Sequence, residues 1–381
     1  MRFSRLRDKA GAVINLARRL DGDILLRLLD VGGSDRPISP RDPWHYFEEE
    51  SSSGERVMVA RKPNLFVIGA MKSGTSSLCV HLSEHPAVFM SPVKEPEHFS
   101  RAEHVSRRTK EYLRLFRGAS NEAYLAEGST GYTKRPASEG VAERIHAFNP
   151  DARLVYVMRD PFARLVSHYR HMTQKGWEKE SLPQAIRRPS NYLPFSHYAY
   201  QLRPYLQLFG PPSIYLDTFE SFVASPVSFC ARLFEWLGID ASFVPPSAGE
   251  RLNVSPEALE TYDEQSLRVR LARDLNRYLR YHPRLGRLVP EAARAWYRTL
   301  MPKESVRRVD SEEFGREVQA ARRTVQPLLA GWVAELEDLT GRSYDEWPSR
   351  KAGTTSEHPL PPDVWLPEEL LHAKDSKPEG R

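Results

Sequence analysis

The chain has 381 residues, 40% of them hydrophobic and 28% charged, with a formal net charge of +5 at pH 7. That length suits one large domain with appendages and a sizeable core, and the mild basic excess favours anionic partners without choosing among nucleotide, nucleic acid and acidic glycan. Two cysteines, Cys79 and Cys230, exclude a disulfide framework or a cysteine-rich zinc site and read as buried thiols in a reducing, cytoplasmic setting.

Residues 1–60 read as an amphipathic leader. Its first 30 residues mix seven basic and four acidic side chains with leucines and isoleucines, unlike the compact apolar centre of a secretory signal. Such an arm packs on its own domain or, as a second reading, makes peripheral contact with a membrane surface. No apolar run reaches the roughly 18–20 residues that a membrane helix needs.

Between 61 and 253 short apolar runs alternate with helical patterns. Residues 64–69 (NLFVIG) read as a buried strand, 75–84 as a helix, 107–116 as a second helix, 122–127 as a weak strand and 138–148 as a third helix. Residues 154–158 (LVYVM) form the clearest further strand, followed by a helix over 162–172 behind Pro161, where proline suits a first turn. A helix over 197–209 carries Pro204, 213–216 read as a strand, and 226–237 as a helix closed by Gly238 in the place of a left-handed cap. This alternation predicts an α/β fold: a central parallel sheet flanked by helices in three layers, P-loop-like, with a helical C-terminal segment.

Residues 254–345 form that basic helical segment, and 348–381 are rich in Pro, Lys, Glu and Ser and read as a disordered tail. Within 268–308 there are twelve Arg or Lys and three acids, with Arg270, Arg273, Arg277 and Arg280 on one helical face and leucines opposite. The face is either solvated or a rim that collects an anionic acceptor.

The segment Gly69-Ala70-Met71-Lys72-Ser73-Gly74-Thr75-Ser76-Ser77 joins a strand to a helix, the context of a phosphate-cradling loop. Lys72 supplies charge, Gly74 lets the backbone approach, and Ser73, Thr75, Ser76 and Ser77 supply hydroxyls. The lysine stands two residues before the second glycine, whereas the ATP-binding GxxxxGK[ST] pattern has it after. The usual magnesium ligand is lost with that order, so no metal is expected, and a P-loop kinase becomes the lesser reading. Arg159 follows the 154–158 strand, at the rim where ligands of open α/β sheets collect. With Ser167 in the next helix it suits a second phosphate.

These two segments resemble the 5′-phosphosulfate and 3′-phosphate motifs of sulfotransferases that use 3′-phosphoadenylyl sulfate (PAPS). Lys94-Glu95-Pro96-Glu97-His98-Phe99 is similar to the KEP-x-x-F segment of the heparan-sulfate type and its bacterial relatives. Leu339-Thr340-Gly341 with Asp345-Glu346-Trp347 is similar to that family's closing segment. The resemblance spans roughly residues 62–347 and implies a sulfotransferase domain over 61–347. It implies in-line transfer from PAPS to a hydroxyl or amine of a carbohydrate or glycolipid, without nucleic acid. It implies Lys72 on the leaving group, with Ser73 restraining it until acceptor binds, and Glu95 as base with His98 as its rival. It also implies Arg251 as a last phosphate contact. Gly128 stands where some glycan enzymes of the family carry a lysine that touches acceptor.

Overall fold

The computed structural model describes residues 46–50, 56–188, 190–249, 259–260, 308–309 and 311–351. A hairpin comes first, β1 (Tyr46–Glu50) pairing antiparallel with β2 (Arg56–Ala60). The stretch read as a leader thus ends in two strands, and residues 1–45 lie outside the described residues.

The central sheet has five strands: β3 (Leu65–Gly69), β4 (Val88–Met90), β5 (Tyr124–Gly128), β6 (Arg153–Met158) and β7 (Ile214–Thr218). They are all parallel, in the order β4-β5-β3-β6-β7. The middle strand is β3, and Leu65, Phe66, Val67 and Ile68 are each 0% exposed, as a strand covered on both faces requires.

Alternation then sorts the two faces. Phe66, Ile68, Leu154, Tyr156 and Met158 join one core. It is covered by α2 (Ala102–Arg114), α3 (Val141–Phe148), α6 (Tyr198–Phe209) and the end of α9 (Ser311–Thr340). Leu65, Val67, Val155 and Val157 join the other, covered by α1 (Thr75–Glu84), α7 (Phe219–Ala224) and α8 (Pro226–Leu237). A third core lies beside the sheet, where α4 (Pro161–Gln174) and α5 (Leu182–Arg187) meet Phe314, Val325, Leu329 and Trp332 of α9. The architecture is the α/β class expected from the sequence, a parallel sheet between helices with a helical C-terminal part.

Local signals set several boundaries. The helices α1 and α8 run as the pattern predicts, and Gly238 caps α8 at φ 70°. Pro161 opens α4, where Asp160 accepts a hydrogen bond from the Ala163 amide at 2.8 Å. The third helix starts at 141 rather than 138 because Gly140 precedes it at φ 68°. The chain past 348 does not leave the domain at once: residues 348–350 form a 3₁₀ turn and Ser349 is fully buried. Its amide donates to Asp160 Oδ2 at 2.8 Å, and Gln326 donates to the carbonyls of Pro348, Ser349 and Lys351. The arginine face at 270–280 lies outside the described residues, among which no helix is long and apolar enough to cross a membrane.

Candidate functional site

Two neighbouring strand ends build the site. The Ala70 amide donates to Val157 O at 2.7 Å, which ties the loop after β3 to the end of β6. Lys72 and Arg159 therefore share one rim of the sheet. Lys72 takes the left-handed backbone region at φ 72°, unusual for a side-chain-bearing residue. Burial first, and then Arg159, Lys94, Lys175 and Arg164, lower its ammonium from the ordinary 10.5 to about 8.

Around this lysine the loop is built to receive an anion. Ser73 is fully buried, and its hydroxyl has no hydrogen-bond partner among the described residues. It does not restrain Lys72 in this structure. Gly74 stands at φ 79° and opens α1, whose first turn carries Thr75, Ser76 and Ser77; the Ser77 amide already donates to Gly74 O at 3.0 Å. Lys94 donates to Ser76 Oγ, so a second ammonium joins the loop from the segment after β4. The Arg159 guanidinium lies over the Phe219 ring at 4.8 Å, and its carbonyl accepts from Tyr198 Oη at 2.7 Å. Ser167 is half-buried on α4, eight positions past Arg159. Cations clustered around Lys72, a buried hydroxyl left over and a helix start together fit a ligand with more than one phosphate. Arg251 lies outside the described residues.

The segment after β4 presents the candidate bases in different settings. Glu95 Oε1 accepts from Thr130 Oγ1 at 3.0 Å and lies 3.9 Å from the Lys94 ammonium, so this carboxylate shares Lys94 with the loop. Glu97 is held by the Gly131 amide at 3.0 Å and by the Ser100 hydroxyl. His98 is buried and stacks on Tyr112 with ring centroids 4.1 Å apart. Burial first, then His104, lowers it to about 4. The structure therefore joins Glu95 to the Lys72 loop and sets His98 into the aromatic core.

Sequence reasoning passed over two residues here. Lys94 was visible only as part of a motif, and its reach to Ser76 needed the fold. Glu127, next to last in β5, is fully buried and accepts from Tyr132 at 2.6 Å, Ser129 at 2.7 Å and Tyr112 at 2.8 Å. Burial raises its carboxyl to about 7, partly offset by those donors. The available signal was its place at the carboxyl end of a parallel strand. Beside it, a Cβ on Gly128 would stand 2.5 Å from Cys79 Sγ. The backbone is pressed on α1 there, and a lysine has no room without displacing it.

Residues 90–243 match the model of a sulfotransferase family. Mouse heparan sulfate glucosamine 3-O-sulfotransferase 5 is 28% identical over 141 residues, 36% of this chain and 39% of that protein. The membrane-associated sulfotransferase kil1 of Dictyostelium discoideum is 30% identical over 124 residues, 31% of this chain and 24% of that one. The chain thus spans well under half the length of these relatives. Among solved structures, a sulfotransferase from Alicyclobacillus acidocaldarius aligns with 62% of this chain and 100% of its own, at 27% identity and a TM-score of 0.45. The matched segment holds the strand–Arg159–helix unit and the Glu95 turn described above, and its match is to a sulfotransferase family.

Proposed function

We propose that this protein transfers a sulfuryl group from PAPS to a hydroxyl or amine of an anionic carbohydrate acceptor. The observation that carries the reading is the junction of Lys72, Lys94 and Glu95: a cationic phosphate loop tied through one lysine to a carboxylate. PAPS supplies an activated sulfur and a bisphosphate leaving group. The protein aligns the reactants and meets developing charge, much as in phosphoryl transfer. Lys72 and the start of α1 stabilise the phosphate oxygen as its bond to sulfur breaks. Arg159 and Ser167 hold the 3′-phosphate, with Arg251 assigned to the same group from sequence. Glu95 takes the acceptor proton as the new bond to sulfur forms. The glycan acceptor class rests on relatives named for heparan sulfate.

Thermal shift with PAPS against ATP, followed by labelled-PAPS transfer with heparan sulfate as first acceptor, tests the proposal. PAPS raises the melting temperature and ATP does not. Lys72→Ala lowers turnover by about 10²-fold or more. Glu95→Gln lowers it by about 10²–10⁴-fold while the PAPS shift persists. Equal stabilisation by ATP with phosphate transfer would replace this reading with a kinase.

A further inference from the structure

We propose that Thr130 is the positioning residue for the Glu95 carboxylate, acting from a cradle formed by residues 127–131. The inference rests on the reading of Glu95 as base. It begins from an oddity of the backbone: Glu95 and Glu97 both adopt left-handed conformations, at φ 56° and 54°. Neither is glycine, so each geometry must be imposed by its surroundings.

The surroundings are the five residues that end β5 and follow it. The Glu95 amide donates to Gly128 O at 3.0 Å. The Glu97 amide donates to Ser129 Oγ at 3.0 Å, and the Gly131 amide donates to Glu97 Oε1 at 3.0 Å. A Cβ at 131 would lie 1.8 Å from Glu97 Oε2, so a side chain there would push the Glu97 carboxylate off the Gly131 amide. The cradle is itself fixed to the sheet: the Ser129 amide donates to Val67 O at 3.1 Å, and its hydroxyl donates to buried Glu127 at 2.7 Å. Both left-handed turns are thus held by a segment anchored to the central strand.

Within that cradle Thr130 makes the contact that matters for chemistry. It is 4% exposed, and its hydroxyl donates to Glu95 Oε1 at 3.0 Å. The Lys94 ammonium approaches the same oxygen at 3.9 Å. One hydrogen bond, from Thr130, and one ion pair, with Lys94, fall on Oε1, which orients the carboxylate and assigns proton acceptance to Oε2. A base held at one oxygen keeps its alignment through turnover, and misplacement of a reacting group is costly in rate. Thr130 touches neither reactant in this scheme and acts through Glu95.

The test uses the full-length chain with labelled PAPS and heparan sulfate, reading PAP release, with water serving as the acceptor in the slow background reaction. Thr130→Val keeps the shape and removes the donor. It lowers kcat about tenfold, leaves KM for PAPS and the PAP-induced thermal shift unchanged, and Thr130→Ser restores kcat to within about threefold. In the Glu95→Gln background, Thr130→Val has no further effect, because the two act as one unit. If Thr130→Val destabilises the chain, Thr130→Ala is read by the same cycle. Wild-type kcat in both Thr130 variants, or losses that multiply with Glu95→Gln, overturns the positioning role and leaves the base intact. Full turnover in Glu95→Gln overturns the base reading itself, and absence of PAP release by the wild-type chain overturns the donor reading.

Discussion

Lys72 occupies a place that penalises a lysine twice, once through a left-handed backbone and once through burial among other cations. Such a residue is at ease only when an anion joins it. Its ammonium is charged below about pH 8 and neutral above. Affinity for the bisphosphate product PAP therefore falls above about pH 8, approaching tenfold per pH unit, while binding near pH 8 takes up protons. Calorimetry in two buffers of different ionisation enthalpy measures that uptake, and Lys72→Arg removes it. Glu127 gives the opposite kind of signal. Its carboxyl moves from the ordinary 4.5 to about 7, so between these values the folded chain holds a proton that the unfolded chain has lost. Stability from this group therefore falls as pH rises through that window and is level above it. Melting temperatures across pH 4.5–8 show this fall in the wild-type chain, and Glu127→Gln flattens its share. Of these residues, Lys72 and Glu95 were legible because their motifs are local. The surroundings of Glu127 and His98 were not, since Tyr112 and Tyr132 reach them from other elements.

Among the elements, those with their own punctuation were legible: α1 behind its glycine loop, α4 behind Pro161 and α8 between Pro226 and Gly238. The short edge strand β4 was missed because three residues carry too little pattern, and its pairing with β5 supplies the reason it is a strand. The 30-residue helix α9 was read only as part of a broad helical segment, since Pro327 stands inside it. Packing holds it together there: Val325, Leu329 and Trp332 enter the core shared with α4 and α5. Leu329→Ala should destabilise the chain by about 2–5 kcal/mol, measured as a lowered denaturant midpoint with an unchanged slope. A loss below about 1 kcal/mol would mean that α9 contributes little to that core.

At the scale of the whole molecule, sequence order and spatial order diverge. The family match runs over 90–243, yet the lysine loop lies before it and α9 after it. The sheet order sets β3 between β5 and β6, so the loop after β3 is flanked by the Glu127–Gly131 segment on one side and Arg159 on the other. Alternating patterns reveal that such a sheet exists, but not that residues far apart in the chain close the same corner.

One of those closures reaches across 189 positions, where the Ser349 amide meets Asp160 directly after Arg159. On the ribosome, Asp160 emerges long before its partner does. The hydrogen bond that braces the turn presenting Arg159 therefore forms only once Ser349 has been made, so the corner that receives the nucleotide is among the last parts of the sheet to gain all its contacts.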